Sequence, residues 1–214
     1  MSIKVSPSVL SSDYLELSKD IERLEKAGVD MLHLDVMDGI FVPNISFGVP
    51  VIKSIKKHSN IPLDVHLMID RPHRYLKEFA EVSDILGFHY EAGSPVADTL
   101  KEIRSLGCKS CLTIKPCTQP EAIFEFLPLC DMVLVMSVEP GFGGQSFMPS
   151  ALQKLSALKA ECERQGLDTD LEVDGGINAE TAPLAVKAGA NVLVAGSFLF
   201  SPEMEEGVKY LKSL

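Results

Sequence analysis

The stretch Met31-Leu32-His33-Leu34-Asp35-Val36-Met37-Asp38-Gly39 begins like an apolar strand and ends like a turn. His33 and Asp35 are two residues apart, so on a strand their side chains point to the same side. A strand of a parallel sheet is normally a nearly continuous apolar run. Two ionisable residues inside such a run therefore need polar partners or a metal ion.

The run Met31–Val36 is one of eight strand candidates along the chain. The other seven are Ile3–Val9, Leu63–Ile69, Ile85–Tyr90, Ser110–Ile114, Met132–Val138, Leu171–Val173 and Val192–Ala195. Amphipathic stretches of helical period separate many of these runs. They are Tyr14–Ala27 with Asp13 as N-cap, Pro72–Glu81, Val96–Leu106, Ser150–Gln165 and Ala179–Ala188. Glycines expected to end four of the helices in a left-handed conformation are Gly28, Gly107, Gly166 and Gly189.

The alternation of strands and helices predicts a parallel sheet covered by helices. Eight units within 214 residues fit a closed (β/α)8 TIM barrel better than an open doubly wound α/β sheet. No Gly-x-Gly-x-x-Gly motif opens the first helix, which disfavours a dinucleotide-binding fold. Because no linker or shift in composition divides the chain, residues 1–214 are predicted to form a single catalytic domain. Functional groups are then expected at the C-terminal ends of the strands.

Composition restricts the partners and the location. The formal net charge of −10 and the lack of a basic cluster argue against nucleic acid and anionic membranes as partners. No secretory leader pattern or membrane-length apolar run is found, and the five cysteines are scattered, as expected of reduced thiols. These features predict a cytoplasmic protein. An anionic small molecule remains compatible with the charge, because backbone N–H groups can bind phosphate.

Further polar residues occur near the ends of two other runs, Asp64 and His66 in the third and Asp174 after the seventh. His33, Asp35, His66 and Asp174 together form a plausible ligand set for Zn²⁺, Fe²⁺ or Mn²⁺. The sequence alone does not place them within ligand distance of one another. Asp38, which precedes Gly39 in a turn, and Asp64, which is expected on the face opposite His66, are interpreted as structural or supporting residues.

Glycine-rich segments follow the last three strand candidates. They are Glu139–Gln145, which contains Gly141, Phe142, Gly143 and Gly144, then Gly175-Gly176, and Gly196-Ser197. Such segments let backbone N–H groups approach an anion, and the N-termini of the following helices are expected to add their dipoles. This pattern predicts a phosphate site at one edge of the barrel. Met37, Met68 and Met136 lie near strand ends and are either core residues or an apolar wall around the reacting atoms.

Taken together, these segments resemble the ribulose-phosphate 3-epimerase family over essentially the whole chain. The motifs that carry the resemblance are Ser6–Leu10, His33–Gly39, Phe41–Asn44, Asp64–Met68, Met136–Gln145 and Val173–Gly176.

The resemblance implies a TIM barrel that interconverts D-ribulose 5-phosphate and D-xylulose 5-phosphate. It implies one divalent metal ion per subunit (Zn, Fe, Mn or Co) bound by His33, Asp35, His66 and Asp174, with Asp35 and Asp174 as acid and base. Ser8 and His66 are expected to contact the substrate. The glycine-rich segments are expected to bind substrate and phosphate, and the family suggests a homo-oligomer.

The chemistry of this reaction fits two carboxyl groups. Inverting a carbon beside a ketone requires removal of a proton from one face and delivery of a proton to the other. Our hypothesis is that Asp35 accepts the C3 proton while protonated Asp174 donates to the opposite face.

Three other functions share parts of this pattern. A hexulose-6-phosphate 3-epimerase, such as allulose-6-phosphate epimerase, would share the fold and the carboxylates. A non-catalytic sugar-phosphate-binding barrel would not need two carboxylates, two histidines and a metal together. A barrel decarboxylase with an Asp-x-Lys-x-x-Asp motif is disfavoured, because Met37 stands where the lysine is required.

Overall fold

The computed structural model describes residues 2–214 and contains an eight-stranded parallel sheet. Each strand is short, largely apolar and mostly buried, as expected when both faces of a sheet are covered. The strands are β1 (Lys4–Pro7), β2 (Leu32–Met37), β3 (Leu63–Met68), β4 (Ile85–His89), β5 (Lys109–Ile114), β6 (Met132–Met136), β7 (Asp170–Asp174) and β8 (Val192–Ala195). All eight predicted strands are present, with ends that differ by a few residues.

The sheet closes on itself into a barrel. Its hydrogen-bonded order is β1-β8-β7-β6-β5-β4-β3-β2, so the strands from β2 to β8 pair with their neighbours in sequence and β1 pairs with β8. A parallel bridge between Ser8 and His33 links the end of β1 to β2. The predicted single (β/α)8 TIM barrel is therefore confirmed as the fold.

Helices follow most strands and cover the outside of the barrel. They are α1 (Leu17–Ala27), α2 (Val49–His58), α3 (Leu76–Ala80), α4 (Val96–Ser105), α5 (Ser150–Gln165), α6 (Ala182–Ala188) and α7 (Met204–Lys212). A 3-10 segment, Pro120–Leu129, replaces the helix between β5 and β6. The sequence interpretation had not identified α2, α7 or this segment.

Several predicted helix starts were wrong. Helix α1 begins at Leu17, and Asp13 is not its N-cap, because the Asp13 carboxylate accepts the backbone N–H of Leu15 in a preceding turn. The predicted helix Pro72–Glu81 is a 3-10 turn followed by the short α3, and α6 begins at Ala182. The glycine endings were better predicted, since Gly28 and Gly166 both adopt the left-handed conformation that ends α1 and α5.

The apolar core has an outer and an inner part. The larger part packs the helices against the outward-facing residues of the sheet. A smaller cluster is formed by residues in or next to the strands. Its members are Met31, Ile85, Cys111, Met132, Leu134, Met136, Val138 and Val192. No helix among residues 2–214 is long and apolar enough to cross a membrane.

Candidate metal and acid–base site

Four side chains from three strands converge at the C-terminal end of the barrel. One ligand atom from each of His33, Asp35, His66 and Asp174 lies within 4.8 Å of the other three. Asp35 Oδ1 lies 3.3 Å from His33 Nε2 and 3.1 Å from His66 Nδ1, and these two nitrogens are 3.3 Å apart. Asp174 Oδ2 is 4.0 Å from His33 Nε2. The structure thus brings together all four residues of the predicted ligand set.

This donor set fits a divalent cation. Tetrahedral zinc with bonds of about 2.1 Å spaces its ligand atoms about 3.4 Å apart, close to the separations among His33, Asp35 and His66. Register explains the proximity, because Asp35 on β2 is paired directly with His66 on β3. Asp174 reaches the group from β7, across the barrel. The cluster can therefore hold a metal ion, as the sequence predicted.

Asp64 orients one of the histidines. His33 Nδ1 lies 2.5 Å from Asp64 Oδ2 in the buried interior, which leaves Nε2 directed at the ligand cluster. The expectation that Asp64 lies on the face opposite His66 was wrong, because residues two apart on a strand share a face. Its interpretation as a supporting residue agrees with this contact, since carboxylate partners commonly orient histidine ligands.

Asp38 organises the loop after β2. Its Oδ1 accepts the backbone N–H groups of Ile40 and Phe41, and its Oδ2 accepts that of Asp70 after β3. These hydrogen bonds lower the pKa of Asp38 although burial opposes them. The structural role expected for Asp38 is confirmed.

The two candidate catalytic carboxyl groups have pKa values shifted in opposite directions. Burial disfavours the charged form of Asp35, but the charge of His33 and the hydrogen bond with His33 hold its pKa below the ordinary value. Burial and the negative charge of Asp35 raise the pKa of Asp174 to about 7. Asp174 is therefore the more readily protonated of the two carboxyl groups and Asp35 the more readily ionised, the pattern of an acid paired with a base.

Two further polar groups of the site were missed by sequence reasoning. Glu172 on β7 is fully buried, and neither of its oxygens has a hydrogen-bond partner among residues 2–214. Burial and the charge of Asp64 raise its pKa well above the ordinary value. His89, at the end of β4, lies 2.9 Å from His66 through its Nε2. Both could have been found, because Glu172 is two residues before Asp174 and His89 ends an apolar run.

A cavity of about 640 Å³ opens above the cluster. Its lining includes every predicted substrate-binding residue except His66, together with Asp35 and the three methionines. These lining residues are Ser8, Asp35, Met37, Met68, Met136, Gly141, Phe142, Gly143, Gly144, Asp174, Gly175, Gly176, Gly196 and Ser197. His66 is buried beneath this surface. Ser8 Oγ donates a hydrogen bond of 2.7 Å to Asp35 Oδ2.

The glycines on one side of this cavity allow close packing of the backbone. A Cβ atom on Gly176, whose φ is +63°, would lie 2.5 Å from the backbone nitrogen of Phe147. A Cβ atom on Gly196 would lie 2.4 Å from Ser11 Oγ. Only glycine fits without displacement at these two positions. Helices α6 and α7 begin only at Ala182 and Met204, so the expected helix dipoles do not directly follow these glycines.

The loop after β6 is held by side chains that the sequence interpretation had not assigned. Asn44 Nδ2 donates to the carbonyl oxygen of Gly141 at 2.7 Å, linking this loop to the one after β2. Gln145 Nε2 donates to the carbonyl oxygens of Glu139 and Phe142, closing the loop on itself. The sequence did point to both residues, because Asn44 and Gln145 lie within the motifs that carry the family resemblance.

Comparison with known proteins identifies the family. The family model described as "Ribulose-phosphate 3 epimerase family" matches residues 4–200. This chain belongs to that family. It is 45% identical over 200 residues to the ribulose-phosphate 3-epimerase of Bacillus subtilis, covering 92% of each chain. It is also 45% identical over 211 residues to that of Methanocaldococcus jannaschii, covering 98% of this chain and 90% of the relative.

The family includes a plant relative, and the fold extends beyond it. The chloroplastic ribulose-5-phosphate-3-epimerase of Arabidopsis thaliana is 42% identical, with 99% of this chain and 76% of the relative covered. Among solved structures, the tryptophan synthase α-subunit of Pyrococcus furiosus superposes with a TM-score of 0.69 at 16% identity, covering 100% of this chain and 98% of that one. That likeness concerns the barrel fold alone.

Proposed function

We propose that this protein interconverts D-ribulose 5-phosphate and D-xylulose 5-phosphate by inverting carbon 3. The observation that carries the proposal is the pair Asp35 and Asp174, which line one cavity and have pKa values shifted in opposite directions. An inversion needs one group that accepts a proton and another that donates one at the same pH. Membership of the ribulose-phosphate 3-epimerase family supports the same reaction.

In the proposed mechanism, ionised Asp35 accepts the C3 proton of ribulose 5-phosphate, and protonated Asp174 donates a proton to the opposite face. The two residues exchange roles in the reverse direction. Asp35 comes from β2 and Asp174 from β7, so the carboxyl groups approach the cavity from different sides of the barrel. Ser8, which donates to Asp35 Oδ2, orients this carboxylate.

His33, Asp35, His66 and Asp174 would hold the divalent cation that this chemistry calls for. A carbon acid next to a ketone is too weak for a carboxylate whose ordinary pKa is about 4. When bound, a divalent cation supplies Lewis acidity that stabilises the negative charge developing on the ketose oxygens. Nitrogen and carboxylate donors suit Zn, Fe, Mn and Co.

The phosphate is proposed to bind to backbone N–H groups of the glycine-rich segments. Within the described chain, residues 2–214, no Lys or Arg lines the cavity. The candidates are Gly141, Gly143, Gly144, Gly175, Gly176, Gly196 and Ser197, and Phe142 lines the same cavity. Met37, Met68 and Met136 contribute to the apolar part of the wall and would limit the access of water to the reacting carbon. Binding of the distant phosphate would fix the orientation of C3.

The test is an NMR measurement of hydrogen exchange at C3. The metal-loaded protein is incubated with ribulose 5-phosphate in D2O, and we expect deuterium at C3 together with formation of xylulose 5-phosphate. Removal of the metal by a chelator should abolish both signals, and addition of Co²⁺ should restore them. Exchange with a hexulose 6-phosphate and none with the pentose would replace the substrate assignment. Binding of both sugars without exchange would indicate a non-catalytic barrel.

Cytoplasmic location, homo-oligomeric assembly and the lack of a nucleic-acid partner remain predictions from the sequence.

A further inference from the structure

Strand β4 ends in a His-x-Glu pair that the proposed reaction does not use. His89 is fully buried at the end of β4, and Glu91 follows it at the start of the next loop. The Nε2 atoms of His89 and His66 are 2.9 Å apart, and the two rings are inclined by 32° with centroids 4.9 Å apart. One of these two nitrogens must donate the hydrogen and the other must accept it.

The surroundings of His66 decide which nitrogen donates. His66 Nδ1 faces Asp35 Oδ1 at 3.1 Å and His33 Nε2 at 3.3 Å, and is therefore the nitrogen available to a metal. A ligating nitrogen carries no proton, so the hydrogen of neutral His66 belongs on Nε2. His66 Nε2 then donates to His89 Nε2, and His89 must carry its own hydrogen on Nδ1.

Glu91 is placed to accept that hydrogen. His89 Nδ1 and Glu91 Oε2 are 3.4 Å apart, and both are buried without a hydrogen-bond partner in the described part of the chain, residues 2–214. The other carboxylate oxygen, Glu91 Oε1, accepts the backbone N–H of Lys115 at 2.9 Å and the hydroxyl of Thr118. The anchored carboxylate therefore presents its unpaired oxygen to the histidine.

The loop that anchors Glu91 is itself held in place. Lys154 Nζ on α5 donates to the carbonyl oxygens of Lys115, Pro116 and Thr118 at 3.0, 2.6 and 2.6 Å. The ring of Phe41 packs on His89 with centroids 4.8 Å apart. The row Glu91, His89, His66, called here the supporting chain, is thus built on fixed backbone and covered by an aromatic ring.

We propose that His89 and Glu91 are positioning residues that hold His66 in the tautomer whose Nδ1 faces the metal ligands. The inference rests on the proposed function in one respect, the use of His66 as a metal ligand. Asp64 orients His33 by direct contact, whereas the Glu91 carboxylate acts on His66 through the intervening His89. Partners of this kind commonly change metal affinity by about 10–100-fold when they are removed.

The first test reads the tautomer by NMR and requires neither substrate nor activity. With ¹⁵N-labelled histidine, the five histidines give a simple spectrum in both metal-free and Zn²⁺-loaded protein. In the Zn²⁺-loaded form the hydrogen of His66 belongs on Nε2; in the metal-free form Asp35 Oδ1 competes for it, and we expect His89 and Glu91 to keep it on Nε2. In His89→Leu, which offers no acceptor, metal-free His66 should become a mixture of tautomers, and His89→Gln, whose amide oxygen can accept, should restore the Nε2–H form. A wild-type tautomer in His89→Leu would overturn the proposal.

The second test measures Co²⁺ affinity by competition with a chromophoric chelator. We expect His89→Leu to weaken binding by up to about 100-fold and Glu91→Gln by about 10-fold. The matched control is Glu121→Gln, at an exposed glutamate on the 3-10 segment, which should bind Co²⁺ like the wild type. If His89→Leu does not fold, Glu91→Gln decides the matter, and affinity equal to that of Glu121→Gln contradicts the supporting chain.

The outcomes separate this inference from the proposed function. Expected tautomers and Co²⁺ affinities in a protein that exchanges no C3 proton would keep the supporting chain and remove the epimerase assignment. Normal epimerisation with unchanged Co²⁺ affinity in both variants would keep the epimerase assignment and remove the supporting chain.

Discussion

The two ends of the barrel use aspartate in different ways. At the N-terminal end, Asp30, Asp84 and Asp131 lie just before β2, β4 and β6. Each accepts one backbone N–H from the first two residues of the preceding strand, at Val5, Leu63 and Ser110. These three aspartates are also paired with Lys212, Lys56 and Arg104, and their side chains are 31%, 47% and 33% exposed. At the C-terminal end, Asp35 is buried against two histidines, and Asp174 is near them.

This difference shows how one residue type serves stability at one end and chemistry at the other. The N-terminal aspartates join neighbouring strands, and water screens their charges, so each contributes modestly. Asn191 does the same before β8, where its Oδ1 accepts the N–H of Leu171. The C-terminal carboxyl groups have lost most of their water, which shifts their pKa values and makes them useful for proton transfer.

The largest expected effect is on catalysis at the C-terminal end. Asp174→Asn removes the proposed proton donor without changing the size of the side chain, and we expect kcat to fall by about 10²–10⁴-fold. Asp35→Asn should behave similarly. The matched control, Asp84→Asn at the opposite end, should keep its activity. Epimerisation by Asp174→Asn at near the wild-type rate would refute the two-carboxyl mechanism.

A smaller effect is expected from adding one methyl group at either end. Gly176→Ala places a Cβ atom against the backbone of Phe147, so the loops beside the cavity must move and kcat/KM should fall at least about 10-fold. Gly166→Ala, at the end of α5, has a similar φ of +67° but open space around the Cβ position. It should cost about 1–2 kcal/mol of unfolding free energy and leave kcat/KM unchanged. Equal effects on kcat/KM would show that the packing at Gly176 does not matter to the site.

The smallest expected effect concerns stability at the N-terminal end. Asp131 pairs with Arg104 at 2.7 Å and accepts the N–H and hydroxyl of Ser110; these contacts lower its pKa although burial opposes them. Asp131→Asn should therefore cost about 1 kcal/mol of unfolding free energy at neutral pH, with activity unchanged.

The pH dependence of this cost has a defined sign. Because folding lowers the pKa of Asp131, its stabilisation is fully present above the unfolded value of about 4. It is lost as the pH falls through the lower folded value. Urea unfolding of both proteins at neutral pH and at progressively lower pH should show the difference shrinking. A difference that grows in acid would contradict this account of Asp131.

Much of the barrel and its site could be predicted because local patterns carried the information. Every strand was recognised from a short apolar run, and His33, Asp35 and His66 stood out as ionisable residues inside such runs. Helix starts were predicted less well. Asp13 looks like an N-cap in the sequence, but in the structure it forms a turn with Leu15, and α1 begins after that turn. The 3-10 segment Pro120–Leu129 was not recognised, and Pro128 within it is incompatible with a regular helix interior.

The sequence by itself determined the order of the eight strands, the single barrel and the four candidate ligands, because alternation and apolar periodicity are local properties. Only the tertiary structure decided which polar residues meet. It placed Asp64 against His33, His89 against His66, and Asp174 across the barrel from Asp35, contacts that depend on strand register and on closure of the sheet. It also separated the pKa values of the two catalytic candidates, because burial and neighbouring charge arise only when distant strands are brought together.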